Sequence, residues 1–146
     1  MTRSTKQAAT STFTVLFTSA LLTAAGLGLG SSAFADAAGL YTAEQAQSGE
    51  LLFNNNCAEC HRPDLTGAMG PALKGQAFLQ KWDNKPLGDL YAFEHSQMPA
   101  NHPGALSDDQ MMPITAFILS KNGYPAGQVA LTKDSLTQML AAPSAQ

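Results

Sequence analysis

The stretch that decides the fold is Cys57-Ala58-Glu59-Cys60-His61. C-x-x-C-H is the attachment pattern of c-type haem. Its spacing has a chemical reason: two thiols about one helical turn apart can each bond a haem vinyl group. The next residue then projects an imidazole at the iron from the same side. With 2 cysteines and 3 histidines in the chain, chance assembly is on the order of 3 in 10,000, which sets coincidence aside. Other uses of these residues are weaker. A thioredoxin-like pair needs a βαβ setting. Structural zinc needs four ligands, and Cys60 and His61 are too close for easy joint coordination. A disulfide across so short a loop is strained.

Upstream of the motif, Thr42-Ala43-Glu44-Gln45 has capping-box form, and Ala46, Gly49, Leu52 and Phe53 recur at helical spacing. This predicts a helix over 43–55, frayed by Asn54-Asn55-Asn56. Downstream, Pro63, Gly67, Gly70, Pro71 and Gly75 mark a loop. A short helix is expected over Gln76–Trp82, and another over 87–95 with Leu87, Leu90 and Tyr91 on one face. Met98-Pro99 to Pro103-Gly104 reads as a second loop. Ser107-Asp108-Asp109-Gln110 is a second capping box, Ile114, Phe117, Ile118 and Lys121 follow one helical face, and Asn122-Gly123 is a stop. Pro113 predicts a kink or a late start in that helix. A last short helix is expected near Thr132–Leu140. No alternating strand pattern appears, so the class is all-α.

The chain has 146 residues, 45 % hydrophobic and 13 % charged, with net charge −3. This excludes a disordered chain, a solenoid and a basic nucleic-acid binder. Arg3 and Lys6, the apolar run from Phe13 to Leu29, and Ala33-Phe34-Ala35 match a secretory signal peptide cleaved after Ala35. The run falls short of the roughly 18 apolar residues of a membrane span. The expected division is a signal peptide over 1–35 and one domain over 36–146, with a core of about 42–131 and a tail over 132–146. Cleavage removes two cations and no acid, so the net charge moves from −3 to −5. The expected compartment is a bacterial periplasm.

An attached haem needs a sixth iron ligand or an open site. Met98, Met69, His95, His102, Met111 and Met112 are the candidates. Met98 lies in a Pro-bounded loop far enough along the chain to return on the other face. Met69 is close to His61 and belongs near its side. Met111 and Met112 fit a helix start. His95 and His102 remain competitors.

Residues 42–131 resemble a class I c-type cytochrome. The matches are Cys57-x-x-Cys60-His61, Gly70-Pro71-Ala72-Leu73, Gln97-Met98-Pro99 and Pro103-Gly104-Ala105-Leu106-Ser107. The resemblance implies the cytochrome c fold, three to five helices around one covalent haem c, with N- and C-terminal helices crossing where Gly49 meets Phe117. It implies Cys57 and Cys60 as covalent attachments and His61 and Met98 as axial ligands. It also implies a bond from His61 to the Pro71 carbonyl. Trp82 is expected either at a haem propionate or as a core aromatic, and Tyr91 against haem or core. Gly67 and Gly70 are expected to allow close approach to the haem or to serve as turn glycines. The segments Phe78–Trp82, Leu90-Tyr91 and Lys121-Asn122-Gly123-Tyr124-Pro125-Ala126-Gly127 are similar to cytochrome domains serving quinoprotein (PQQ-dependent) dehydrogenases.

The expected function is therefore electron transfer, not catalysis. Electrons would pass from a quinoprotein dehydrogenase towards a downstream oxidase or cytochrome. The acidic net charge suggests a basic partner. Two alternatives stand beside it: a five-coordinate haem protein (gas sensor or peroxidase-like) and a fixed subunit of a dehydrogenase complex.

Overall fold

The computed structural model describes residues 39–143. The expected signal peptide and its cleavage site lie outside the described residues.

Thr42 caps helix α1 (Ala43–Asn56), its hydroxyl oxygen accepting from the Gln45 N–H at 3.2 Å. Gln45 does not reciprocate. Its amide grips the Leu131 backbone instead, donating to the carbonyl at 2.9 Å and accepting from the N–H at 2.7 Å. A residue with local capping form is thus a tertiary clamp. The fraying expected at the asparagine run does not occur. Asn56 Nδ2 donates to the Leu52 carbonyl at 2.7 Å, and the Cys57 N–H reaches Phe53 at 2.8 Å. Helix α2 (Ala58–His61) follows directly.

Helix α5 (Asp108–Lys121) starts behind Ser107, whose N–H and hydroxyl both donate to Gln110 Oε1, at 3.1 and 3.2 Å. Pro113 lies inside the helix and does not delay its start. The missing N–H would have served the carbonyl of Asp109, an exposed residue where water can take the bond. Pro113 also has a place in the packing. At Gly49, a Cβ would stand 1.8 Å from the Pro113 carbonyl oxygen and 3.0 Å from Phe117 Cβ. Helices α1 and α5 therefore cross in backbone contact, and Phe53 and Phe117 close the crossing with ring centroids 5.3 Å apart.

Helix α3 (Gln76–Trp82) follows the loop, and helix α4 (Leu87–Gln97) packs against α5. Helix α4 buries Leu87, Leu90, Tyr91 and Glu94, one face at i, i+3, i+4 and i+7. The last helix is a shorter, tighter 3-10 turn, Lys133–Thr137. The chain beyond it pairs with the α3–α4 turn. Leu140 donates to Lys85 at 2.8 Å, and Asn84 donates to Leu140 at 2.7 Å. Leu131 and Leu140 are fully buried. Among the described residues there is no strand, and no helix is long and apolar enough to cross a membrane.

Candidate functional site

The C-x-x-C-H residues are held by the run of helix from α1 into α2. The N–H groups of Cys60 and His61 both donate to the Cys57 carbonyl, at 3.2 and 3.0 Å. This single turn sets the two sulfurs on one side, and they are not bonded to each other. Burial, then Glu94 and Cys60, push the Cys57 thiol up to about 12. It is therefore a neutral thiol at physiological pH, not the activated thiolate of a redox pair. Among the described residues no three His, Cys, Asp or Glu side chains form a metal cluster, which speaks against the zinc reading.

Beyond His61 the chain reverses at Arg62, with φ of 62°, and folds back over the end of α2. Ala68 and Gly70 both donate to the Cys60 carbonyl at 3.0 Å, and Gly67 donates to His61 at 3.0 Å. These bonds satisfy the last carbonyls of α2. They also bring the 67–73 loop beneath the imidazole. A Cβ on Gly70 would stand 2.5 Å from His61 Cε1 and 2.8 Å from Nδ1. Gly70 is thus glycine because the ring rests on its backbone. Gly67 adopts φ of +82°, a turn conformation that glycine alone takes without strain.

His61 is buried, with Nδ1 2.8 Å from the Pro71 carbonyl oxygen. A carbonyl only accepts, so Nδ1 carries the proton and the Nε2 lone pair is left for another partner. The backbone has fixed the tautomer that a metal-binding imidazole requires.

Nε2 belongs to a cavity of about 800 Å³, walled mainly by apolar side chains from α1, α3, α4, α5 and both loops. Cys57, Cys60, His61, Pro71, Trp82 and Met98 all line it. The structure thus gathers most of the residues singled out in the sequence around one space. Tyr91 is the exception. It does not line the cavity, and its hydroxyl donates to Asp108, tying α4 to the start of α5. Leu90, Phe93 and Glu94 are the residues of α4 that line the cavity. Of the candidate sixth ligands, His95, His102 and Met112 lie outside the lining, while Met69, Met98 and Met111 lie in it. His95 stands 3.5 Å from Asp108 instead. Trp82 is buried in the wall, its ring 5.6 Å from that of Phe93. Met98 is fastened at the end of α4 by its N–H, 3.0 Å from the Glu94 carbonyl.

Glu94 itself was not evident from the sequence. Its position continues the buried face 87, 90, 91, but a carboxylate there contradicts the pattern. Burial pushes its carboxyl up to about 8, partly offset by a hydrogen bond with Thr115. The group is therefore largely neutral in the cavity wall.

Two unpaired thiols, a tautomer-fixed imidazole, a thioether and apolar walls of this size define a c-type haem protein of all-α class. The chain belongs to the cytochrome c family. Residues 44–118, about half of the chain, match the family described as cytochrome C oxidase, cbb3-type, subunit III. It is 30% identical over 95 residues to the 4-cresol dehydrogenase [hydroxylating] cytochrome c subunit of Pseudomonas putida, covering 61% of this chain and 78% of that one. It is 29% identical over 80 residues to cytochrome c6 of Diacronema lutheri, 52% of this chain and 95% of that one. It is 29% identical over 84 residues to the cbb3-type oxidase subunit CcoP of Rubrivivax gelatinosus, covering 56% of this chain but only 28% of that subunit. Among solved structures, the sulfane dehydrogenase SoxCD of Paracoccus pantotrophus superposes with a TM-score of 0.52 at 30% identity, over 66% of this chain and 52% of that one. The fold is that of cytochrome c, and the family carries haem c and transfers electrons.

Proposed function

We propose that the chain is a periplasmic monohaem cytochrome that carries single electrons from a dehydrogenase, of the quinoprotein kind, towards the respiratory chain. The observation that carries this reading is the His61–Pro71 pair at the floor of one apolar cavity. Cys57 and Cys60 would hold the haem as thioethers, and His61 Nε2 and Met98 sulfur would be the two ligands of its iron. When bound, the group supplies a one-electron Fe(III)/Fe(II) couple.

The other cavity methionines fit that role less well. Met69 is 75 % exposed and precedes Gly70, on the imidazole side. Met111 is buried on the rigid helix α5 among core residues. With His61 and Met98 both bound to the iron, no place would be left for a gas or peroxide ligand. Phe53, Phe78, Ile114 and Ile118 give the cavity an apolar lining that would shield a bound haem from water. Low local polarity and a soft, neutral sulfur both favour the reduced state. The relatives named as dehydrogenase and oxidase subunits support a redox-protein partner over a small-molecule substrate.

The test is a pair of absorption spectra, oxidised and reduced, of protein made in a host that attaches haem. Covalent low-spin haem with a methionine–iron charge-transfer band is expected. A colourless product refutes the reading, and high-spin ferric haem favours the five-coordinate alternative. Co-purification with a large enzyme subunit would identify a fixed subunit.

A further inference from the structure

Asn122 looks in the sequence like a helix stop, but its side chain reaches far from the end of α5. Oδ1 accepts from the Gly75 N–H at 2.9 Å. Nδ2 donates to the Leu73 carbonyl at 2.9 Å and to the Ile118 carbonyl at 2.8 Å. One amide therefore joins the last turn of α5 to both ends of the segment 73–75. That segment continues the loop whose Pro71 carbonyl holds the His61 ring. Before Pro71 the loop is tied to the end of α2 by the N–H groups of Gly67, Ala68 and Gly70, and Leu73 N–H reaches the Leu65 carbonyl at 2.9 Å within the loop; none of these joins the chain after Pro71 to another helix. The bonds from Asn122 anchor it to the helix that also forms the crossing with α1.

We infer that Asn122 is a positioning residue for the proximal imidazole: it fixes the 71–75 loop against α5, so that Pro71 stays within hydrogen-bond reach of His61. The inference rests on the reading of His61 as an axial ligand. Its chemistry follows from the two-step link. Loosening Leu73 and Gly75 lets the Pro71 carbonyl move away from Nδ1. A weaker bond there makes the imidazole less basic and a poorer donor to Fe(III). The reduced state then gains relative to the oxidised one.

Asn122→Ala removes all three bonds. Asn122→Asp keeps an acceptor for Gly75 but sets a carboxylate oxygen against the Leu73 and Ile118 carbonyls, so it should loosen the loop at least as far as alanine does, and it serves if the alanine variant does not fold. Ser120→Ala removes a bond to Phe117 on the same turn without touching the loop and serves as the control. Two quantities are read on haem-loaded protein: the midpoint potential, and the solvent exchange of the His61 Nδ1–H by NMR in the reduced state. The expected result is an upward shift of potential and at least a tenfold faster exchange in Asn122→Ala, exchange at least as fast in Asn122→Asp, and wild-type values in Ser120→Ala. Wild-type potential and exchange in a folded Asn122 variant overturn the inference. So does an equal shift in Ser120→Ala. Absence of covalent haem in the wild type overturns the axial-ligand reading instead, so the two failures are distinguishable.

Discussion

Replacing Gly49 by alanine puts the helix crossing to a quantitative test. The new methyl carbon would lie 1.8 Å from the Pro113 carbonyl oxygen, whereas ordinary contact begins at 3.4 Å. The helices must therefore separate by about 1.6 Å at their closest point, or one must bend. Neither atom belongs to a side chain that can swing away. A separation of that size would take the Phe53 and Phe117 rings from 5.3 Å towards the outer limit of aromatic contact, near 7 Å. Overpacking of this kind costs about 1–3 kcal/mol, and the aromatic pair adds about 0.5–1.5 kcal/mol. Alanine returns about 1 kcal/mol of helix propensity. The expected net loss is about 0.5–3.5 kcal/mol, centred near 2, against the roughly 5–15 kcal/mol that a domain has. Urea unfolding reads it directly, followed by the fluorescence of Trp82, the one tryptophan in the chain. Ser48→Ala is the control. Ser48 is exposed on the same helix and gains propensity without a clash, so it should be neutral or slightly more stable. If Gly49→Ala unfolds at or above the wild-type urea midpoint, the backbone-contact reasoning is wrong.

Gly70→Ala should displace the imidazole, because the added carbon lies within 3.0 Å of three ring atoms; a changed low-spin spectrum with intact covalent attachment is expected, and an unaltered spectrum and potential would contradict it. Met98→Ala should keep haem on Cys57 and Cys60 but lose the methionine–iron band, and survival of that band would assign the sixth position elsewhere. Stability should fall as pH rises between about 4.5 and 8, because in that window folded Glu94 retains a proton that the unfolded chain has released. Glu94→Gln should flatten that slope and be relatively more stable at pH 8; identical slopes in denaturation series would refute the assignment. Leu140→Ala should cost about 2–5 kcal/mol if the tail is part of the core, since Leu140 is fully buried; an unchanged urea midpoint would make the tail dispensable.

The sequence alone determined the haem-attachment motif, the all-α class and most helix positions. These depend on neighbours in the chain: thiol spacing, capping residues and the 3.6-residue period act within a turn or two. Gly49 and Phe117 were also legible, through the resemblance. What only the tertiary structure decided concerns residues whose partners lie far along the chain. Gln45 looked like a cap and clamps Leu131; Asn122 looked like a stop and holds Leu73 and Gly75. Tyr91, expected against haem or core, is in the core and bonds Asp108. Pro113 looked like a kink or a late start and lies at the closest point of the crossing, inside the helix. Glu94 drew no attention because a carboxylate on a buried face makes sense only once Thr115 stands opposite it. An amide, a hydroxyl or a carboxyl can bond whatever the fold brings near. Its local sequence fixes which bonds it can make, and the packing of distant segments selects the partner.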